Sequence, residues 1–275
     1  MFRRDLLPIV RSRPSDTGGL VYVEGAEEDG GITTGAVRSP ATGEHYKIRD
    51  GYLDLLGRKI GAHNAANLTN LLPGAGRGYE PIWRVRSLSL LTGESFSNRR
   101  ELEIIASLAG LERGGLFLDL GCSAGLYTRE MARRLGKRGS VVGMDISPSM
   151  LKEAARRSRK AGVPVSLVRA DAHNLPFADT TFSGMVCGGT LNELGDPARA
   201  LREAHRVLHP DGRIAIMGIL RATTDRGKRL QRFLSTGGIQ FFNPEQLTSL
   251  LDHAGFDPDP QQTYGPVVFA SATRR

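Results

Sequence analysis

The sequence predicts an α/β fold, a doubly wound and mostly parallel sheet, preceded by a small β-rich N-terminal subdomain. Three observations carry this. From about residue 100 onward, short apolar runs that stop at turn residues alternate with longer stretches of helical periodicity, the pattern of a parallel sheet covered on both faces. Ser147-Pro148, Asp196-Pro197 and Asn243-Pro244 each place a capping side chain before a proline at the first helical position, where no amide hydrogen is lost. Glycines 18, 19, 25, 30, 31, 35 and 43 punctuate short β-prone runs such as Leu20 to Val23, which sets the first 60 residues apart.

Composition sets the outer limits. The 275 residues are 40% apolar and 24% charged, those of an ordinary globular protein with room for one full α/β domain and an appendage. The one apolar run near the N-terminus, Leu6 to Val10, is interrupted by Pro8, far short of the roughly 18 residues that a membrane span needs. The expected location is therefore cytoplasmic. Cys122 and Cys187 are the only cysteines, which excludes a disulfide framework and argues against a metal site. The net charge of +8 raises a nucleic-acid reading, but it is scattered arginine with local clusters at 156–160 and 221–232 and no accompanying aromatic motif.

In chain order, residues 61–78 are rich in Asn and Gly and read as a linker. Tyr79 to Leu91 and Asn98 to Leu111 carry helical periodicity, the second capped by Ser97. Tyr79 and Trp83 fall four apart on one helical face, placed either to roof a ligand or to form plain interdomain core. Next comes the most informative stretch. The apolar run Leu116, Phe117, Leu118 ends in Asp119, and Gly121 and Gly125 bracket a tight turn, with Cys122 and Ser123 between them, that opens into an amphipathic run, Leu126 to Leu135. A second apolar run stops at Asp145, about twenty residues beyond Gly125, where a carboxylate at a strand tip can accept hydrogen bonds from ribose hydroxyls. The spacing lacks the G-x-G-x-x-G of dinucleotide sites.

With Asp119 two residues ahead of Gly121, the loop resembles the D-x-G-x-G loop of class I S-adenosylmethionine-dependent methyltransferases, of the type 11 kind, with Ser123 where the family has glycine. Further pieces follow in that family's order. Ala170-Asp171-Ala172-His173-Asn174-Leu175-Pro176-Phe177 is similar to its A-D-A-x-x-L-P-F loop, Phe182 to Cys187 to its fourth strand with Ser183 at a commonly acidic position, and Val207-Leu208-His209-Pro210-Asp211-Gly212 to its V-L-x-P-G-G turn. The resemblance covers roughly residues 78–273. It implies a seven-stranded Rossmann-like sheet with the last strand inserted antiparallel, and S-adenosylmethionine as cofactor with S-adenosylhomocysteine as product. It places Asp119, Gly121, Cys122, Ser123, Gly125, Asp145, Ile146, Met150, Asp171, Ala172 and Gly188 at the cofactor, Asp171 accepting from the adenine amino group. Helices such as 79–111 lie over the cofactor cleft in this family.

Residues 35–56 resemble the second half of small zinc ribbons that precede some methyltransferase domains, matching at Tyr46, Ile48, Asp50, Gly51, Leu55 and Leu56. Arg38, Ser39 and Ala41 stand where cysteines belong, and without thiolates no metal is expected. The expected division is thus 1–60, a degenerate ribbon-like subdomain; 61–78, a linker; and 79–275, the methyltransferase domain.

Methyl transfer from a sulfonium is an in-line displacement that asks mainly for alignment and desolvation, so catalytic groups leave a weak mark on sequence. Asn192 and Glu193, after the fourth strand, are the candidates to position an acceptor or take a proton, with a solvated loop carboxylate as the alternative for Glu193. Thr190 and Phe241 are candidate substrate contacts, Phe241 and Phe242 being equally suited to sealing the sheet. His173 is expected to face solvent, and His205 to sit on a helix for packing or exposure. No N-P-P-Y or D-P-P-Y follows the fourth strand, which disfavours adenine or glutamine amino groups as acceptors. The expected acceptor is a small molecule, methylated on oxygen, carbon or nitrogen. Ribosomal RNA methylation at guanine, or cofactor binding without methyl transfer, are the alternatives.

Overall fold

The computed structural model describes residues 1–28, 31–57 and 96–275. The expected linker 61–78 and the Tyr79 to Leu91 helix, with Tyr79 and Trp83, lie outside the described residues.

The β-strands are β1 (Phe2–Arg3), β2 (Val21–Glu28), β3 (Gly31–Arg38), β4 (His45–Arg49), β5 (Tyr52–Asp54), β6 (Gly115–Leu120), β7 (Gly139–Asp145), β8 (Ser166–Arg169), β9 (Phe182–Gly188), β10 (Leu208–Ile219), β11 (Phe256–Pro258), β12 (Gln262–Tyr264) and β13 (Val267–Arg274). The α-helices are α1 (Asn98–Leu108), α2 (Leu126–Leu135), α3 (Pro148–Lys160), α4 (Pro197–Val207), α5 (Asp225–Thr236) and α6 (Pro244–His253). The caps expected from sequence form: Ser97, Ser147, Asp196 and Asn243 each accept an amide from the first turn, and Asn243 with Gln246 closes a capping box.

The core sheet runs β8-β7-β6-β9-β10-β13-β11. Its first five strands are parallel, and β13 enters antiparallel between β10 and β11. This is the Rossmann-like arrangement. The order reverses between β6 and β9, so ligands are expected outside the carboxyl ends of these strands. Leu118, Met185 and Ile216 from neighbouring strands are buried in one cluster, and Phe117, Val186 and Phe269 in another. A sheet covered on both faces requires this, and it is why its strands read as continuous apolar runs.

The N-terminal strands continue the same sheet. β5 pairs in parallel with β8 through Leu53 to Val168 and Asp54 to Arg169, and β4, β3 and β1 follow outward, giving thirteen strands among the described residues. Phe2, Leu7, Ile32 and Leu53 share a buried cluster with Leu118 and Phe177. In the turn between β3 and β4, Ser39 is buried; its hydroxyl accepts the Thr42 amide and meets the Ser12 hydroxyl at 2.8 Å. Hydroxyl hydrogen bonds thus hold this turn.

Two positions that are glycine in the resembled pattern keep glycine's backbone here. Ser123 has φ 50° and Asp211 φ 63°, both left-handed.

Candidate functional site

The cofactor-type loop is built by backbone geometry. Gly121, Ser123 and Gly125 all have positive φ (74°, 50° and 77°), which coils the chain between β6 and α2 tightly enough that the amides of Gly121 and Cys122 both reach the Met144 carbonyl. At Gly121 a Cβ would lie 2.0 Å from Thr190 Oγ1, so only glycine lets this loop meet the turn after β9. Gly188 is constrained likewise, its missing Cβ standing 2.3 Å from the Tyr127 ring.

Across the loop, Asp145 ends β7 with both carboxylate oxygens engaged: the Ser123 amide donates to Oδ2 and the Ser147 amide to Oδ1, each at 2.8 Å. Burial raises its carboxyl above the usual value, opposed by the amides of Ser147, Ser123 and Ile146. A carboxylate so oriented presents its remaining lone pairs to the cleft.

These groups border an open cleft at the carboxyl ends of the strands. Gly121, Ser123 and Asp145 line one wall, with Ile146 and Met150 as apolar neighbours. Asp171 and Ala172 close the β8 end, and Gly188, Thr190 and Glu193 the β9 end. A carboxylate at the tip of β7, an apolar slot beside it, a second carboxylate further on and a glycine turn where a Cβ would intrude together fit an adenosine carrying a short polar tail.

Several expected residues stand elsewhere. Asp119 is buried and accepts the Thr128 hydroxyl at 2.6 Å, tying β6 to α2. Cys122 is buried under the loop, and Gly125 caps α2 against Ala154 and Arg129. These three shape the loop and do not line the cleft. Asn192, expected as a catalytic candidate, is also corrected. It is buried, its Nδ2 donates to the carbonyls of Ile219 and Gln240, and its Oδ1 accepts the Ile219 amide. Those bonds pin the crossing between β10 and the segment before α6. Phe241 is half-buried outside the cleft, its carbonyl accepting from Arg221, while Phe242 is buried and bridges to Leu220.

His173 overturns the expectation of a solvent-facing side chain. It is 5% exposed and lines the cleft. Its Nδ1 lies 2.8 Å from Asp171 Oδ1, and the Asp196 amide donates to Nε2 at 3.3 Å, so the ring is held as the Nδ1–H tautomer with Asp171 as acceptor. Met144, Ala170, Gly189 and Leu194 complete the lining. Leu194 had no sequence signal, because a lone leucine in a turn says nothing of what it faces. His205 lies on α4 and packs edge-on against Phe256.

A family profile described as a methyltransferase domain matches residues 118–216. The ubiquinone/menaquinone biosynthesis C-methyltransferase of Haemophilus ducreyi is 31% identical over 173 residues, covering 54% of this chain and 67% of that protein. The 2-phytyl-1,4-naphtoquinone methyltransferase of Thermosynechococcus vestitus is 38% identical over 124 residues, 45% of this chain and 54% of that protein. The chain thus spans between about half and two thirds of the length of these relatives. Among solved structures, geranyl diphosphate C-methyltransferase from Streptomyces coelicolor A3(2) superposes with a TM-score of 0.58 at 14% identity, covering 65% of this chain and 81% of that one. An S-adenosylmethionine-dependent methyltransferase from Aquifex aeolicus gives 0.54 at 22% identity, covering 63% and 88%. Both share the fold.

Proposed function

This chain belongs to the class I S-adenosylmethionine-dependent methyltransferases, and we propose that it moves the cofactor's methyl group onto a small-molecule acceptor, a carbon of an electron-rich ring of the quinol kind. The observation that carries this reading is the cleft itself, where Asp145, Asp171 and the Gly121 turn surround the space an adenosine would take. The two sequence relatives, both quinone-type methyltransferases, point to the acceptor class.

When bound, S-adenosylmethionine supplies an electrophilic methyl on a good leaving group. The chain's own residues do the rest. Asp145 holds the ribose hydroxyls, Ile146 and Met150 flank the base, and Asp171, kept in orientation by His173, accepts from the adenine amino group. Thr190 and Glu193 stand at the opposite end of the cleft, on the acceptor's side. Glu193 would take the proton that the acceptor's ring carbon loses when it is methylated. Alignment and exclusion of water supply most of the acceleration.

The test is calorimetric titration with S-adenosylmethionine, followed by assay of S-adenosylhomocysteine with reduced 2-phytyl-1,4-naphthoquinone and related quinols. Binding with acceptor-dependent turnover is the expected result. Binding without turnover on any quinol would remove the acceptor class, and no binding would remove the reading altogether.

A further inference from the structure

None of the described side chains of helix α5 is fully buried. It lies between β10 and α6, and one carboxamide ties it to the protein: Gln231 Nε2 donates to the Leu220 carbonyl, and its Oε1 accepts the Ala222 amide. Leu230 and Phe233, three apart on one face, are 54% and 72% exposed. Apolar side chains of this size are normally what holds a helix to its core. Here they point away from it. Arg229, also exposed, stands beside them, and Arg232 follows three residues on from it round the same side of the helix, while Lys228 falls on the opposite face, 3.8 Å from Asp225.

The location adds a second constraint. The segment joining α5 to α6 is tied to the rim of the cleft: Gln240 donates its backbone amide to the Asn192 carbonyl and its side-chain amide to the carbonyls of Leu194 and Gly195, and Leu194 lines the cleft. Helix α5 therefore lies at the end of the sheet at which the cleft opens.

We propose that α5 is an interfacial helix that docks on an anionic lipid surface, with Phe233 and Leu230 entering the headgroup boundary and Arg229 and Arg232 meeting lipid phosphates. The pairing of an exposed aromatic and leucine with neighbouring arginines, on a helix with no buried residue among those described, is the composition that lies in such an interface. Charge selects the partner: a chain of net charge +8, with two arginines beside the apolar pair, is attracted to an acidic surface and not to a neutral one. No helix among the described residues is long and apolar enough to cross a membrane, so the contact is with the surface. Docking this way sets the cleft next to the bilayer, where an acceptor dissolved in lipid would be reached without crossing water. The inference stands on α5 alone and does not depend on which acceptor is methylated.

The experiment is co-sedimentation of the full chain with phosphatidylglycerol vesicles and with phosphatidylcholine vesicles, at low and high salt. The expected result is binding to the anionic vesicles only, weakened by salt. Leu230→Ser/Phe233→Ser should abolish it, and each of Arg229→Gln and Arg232→Gln should weaken it about fivefold. These side chains are exposed, so the variants should keep the parent's thermal midpoint and its heat of S-adenosylmethionine binding. Equal binding to both vesicles, no binding to either, or binding untouched by Leu230→Ser/Phe233→Ser overturns the proposal. So does preferential capture of RNA over anionic vesicles, or self-association that disappears with the same double substitution.

Discussion

Arg169 and Asp54 meet in the seam where the N-terminal strands join the parallel sheet, the guanidinium Nη1 lying 3.2 and 3.4 Å from the two carboxylate oxygens, with both side chains buried. The same nitrogen donates to the Gly57 carbonyl at 2.6 Å, and Nε donates to the carbonyl of Ile146, a residue of the cleft wall. One side chain therefore joins the N-terminal strands to the turn after β7 that lines the cleft. Asp54→Ala leaves this guanidinium buried without its counter-charge and should cost about 3 kcal/mol in denaturant unfolding. Asp54→Leu combined with Arg169→Met should recover part of that loss, since it removes the stranded charge while leaving the Gly57 and Ile146 carbonyls short of a donor. If Asp54→Ala unfolds like the parent, the seam is not held by this pair.

Asp145 should control cofactor affinity and its dependence on acidity. Asp145→Ala removes the ribose acceptor and strands the amides of Ser123 and Ser147, and is expected to weaken binding by about 3 kcal/mol in calorimetry. The folded carboxyl is raised above its unfolded value, so Asp145 costs the free protein some stability at neutral pH, a cost relieved as pH falls through the folded value. Cofactor affinity moves the opposite way, because the hydroxyls donate to the ionised form. It should decline as pH drops through that raised value, and Asp145→Asn should flatten the decline.

Ser123 and Asp211 hold left-handed backbone without being glycine. Ser123→Gly should stabilise the chain by about 1 kcal/mol, less whatever the contact of its hydroxyl with Met150 contributes. Asp211→Gly should gain about half as much, because aspartate tolerates this region better. Thermal unfolding of both variants measures it.

Asn192 and Glu193 are neighbours with opposite expected outcomes. Asn192→Ala breaks three buried hydrogen bonds and should cost about 3 kcal/mol of stability. Glu193→Gln should leave the unfolding midpoint unchanged and lower kcat with little change in the KM for cofactor. A midpoint shift for Glu193→Gln matching that of Asn192→Ala would make Glu193 structural.

Burial pushes the Cys187 thiol up to about 12, and the Cys122 thiol well above its usual value, with Asp145 and Asp119 adding to the effect. Below those values the unreactive thiol form dominates. The folded protein should resist iodoacetamide at pH 8, and both cysteines should react once it is unfolded. Rapid labelling of folded protein, followed by mass spectrometry, would show that the loop under Ser123 opens.

The parts legible in the sequence were those set by neighbours along the chain. The β6–loop–α2 unit, Asp145 at the tip of β7, the Asp171 loop and the four helix caps follow from local periodicity, turn chemistry and capping, each of which acts over a few residues. The residues misjudged were those whose role is set from far away. Asn192 sits in a turn that reads as cleft rim, yet carbonyls of Ile219 and Gln240 claim it. His173 is drawn inward by Asp171 and by the Asp196 amide at the start of α4.

The sequence by itself determined the alternation of strands and helices, the glycine turn and the two carboxylates, because hydrogen-bond periodicity and backbone sterics are read within a single element. Only the tertiary structure decided that β5 would pair with β8 and fuse the N-terminal strands into the main sheet, which of two adjacent turn residues would reach the cleft, and that Leu230 and Phe233 would face outward. Edge pairing, burial and exposure depend on what distant segments bring to the same place, and no local pattern encodes that.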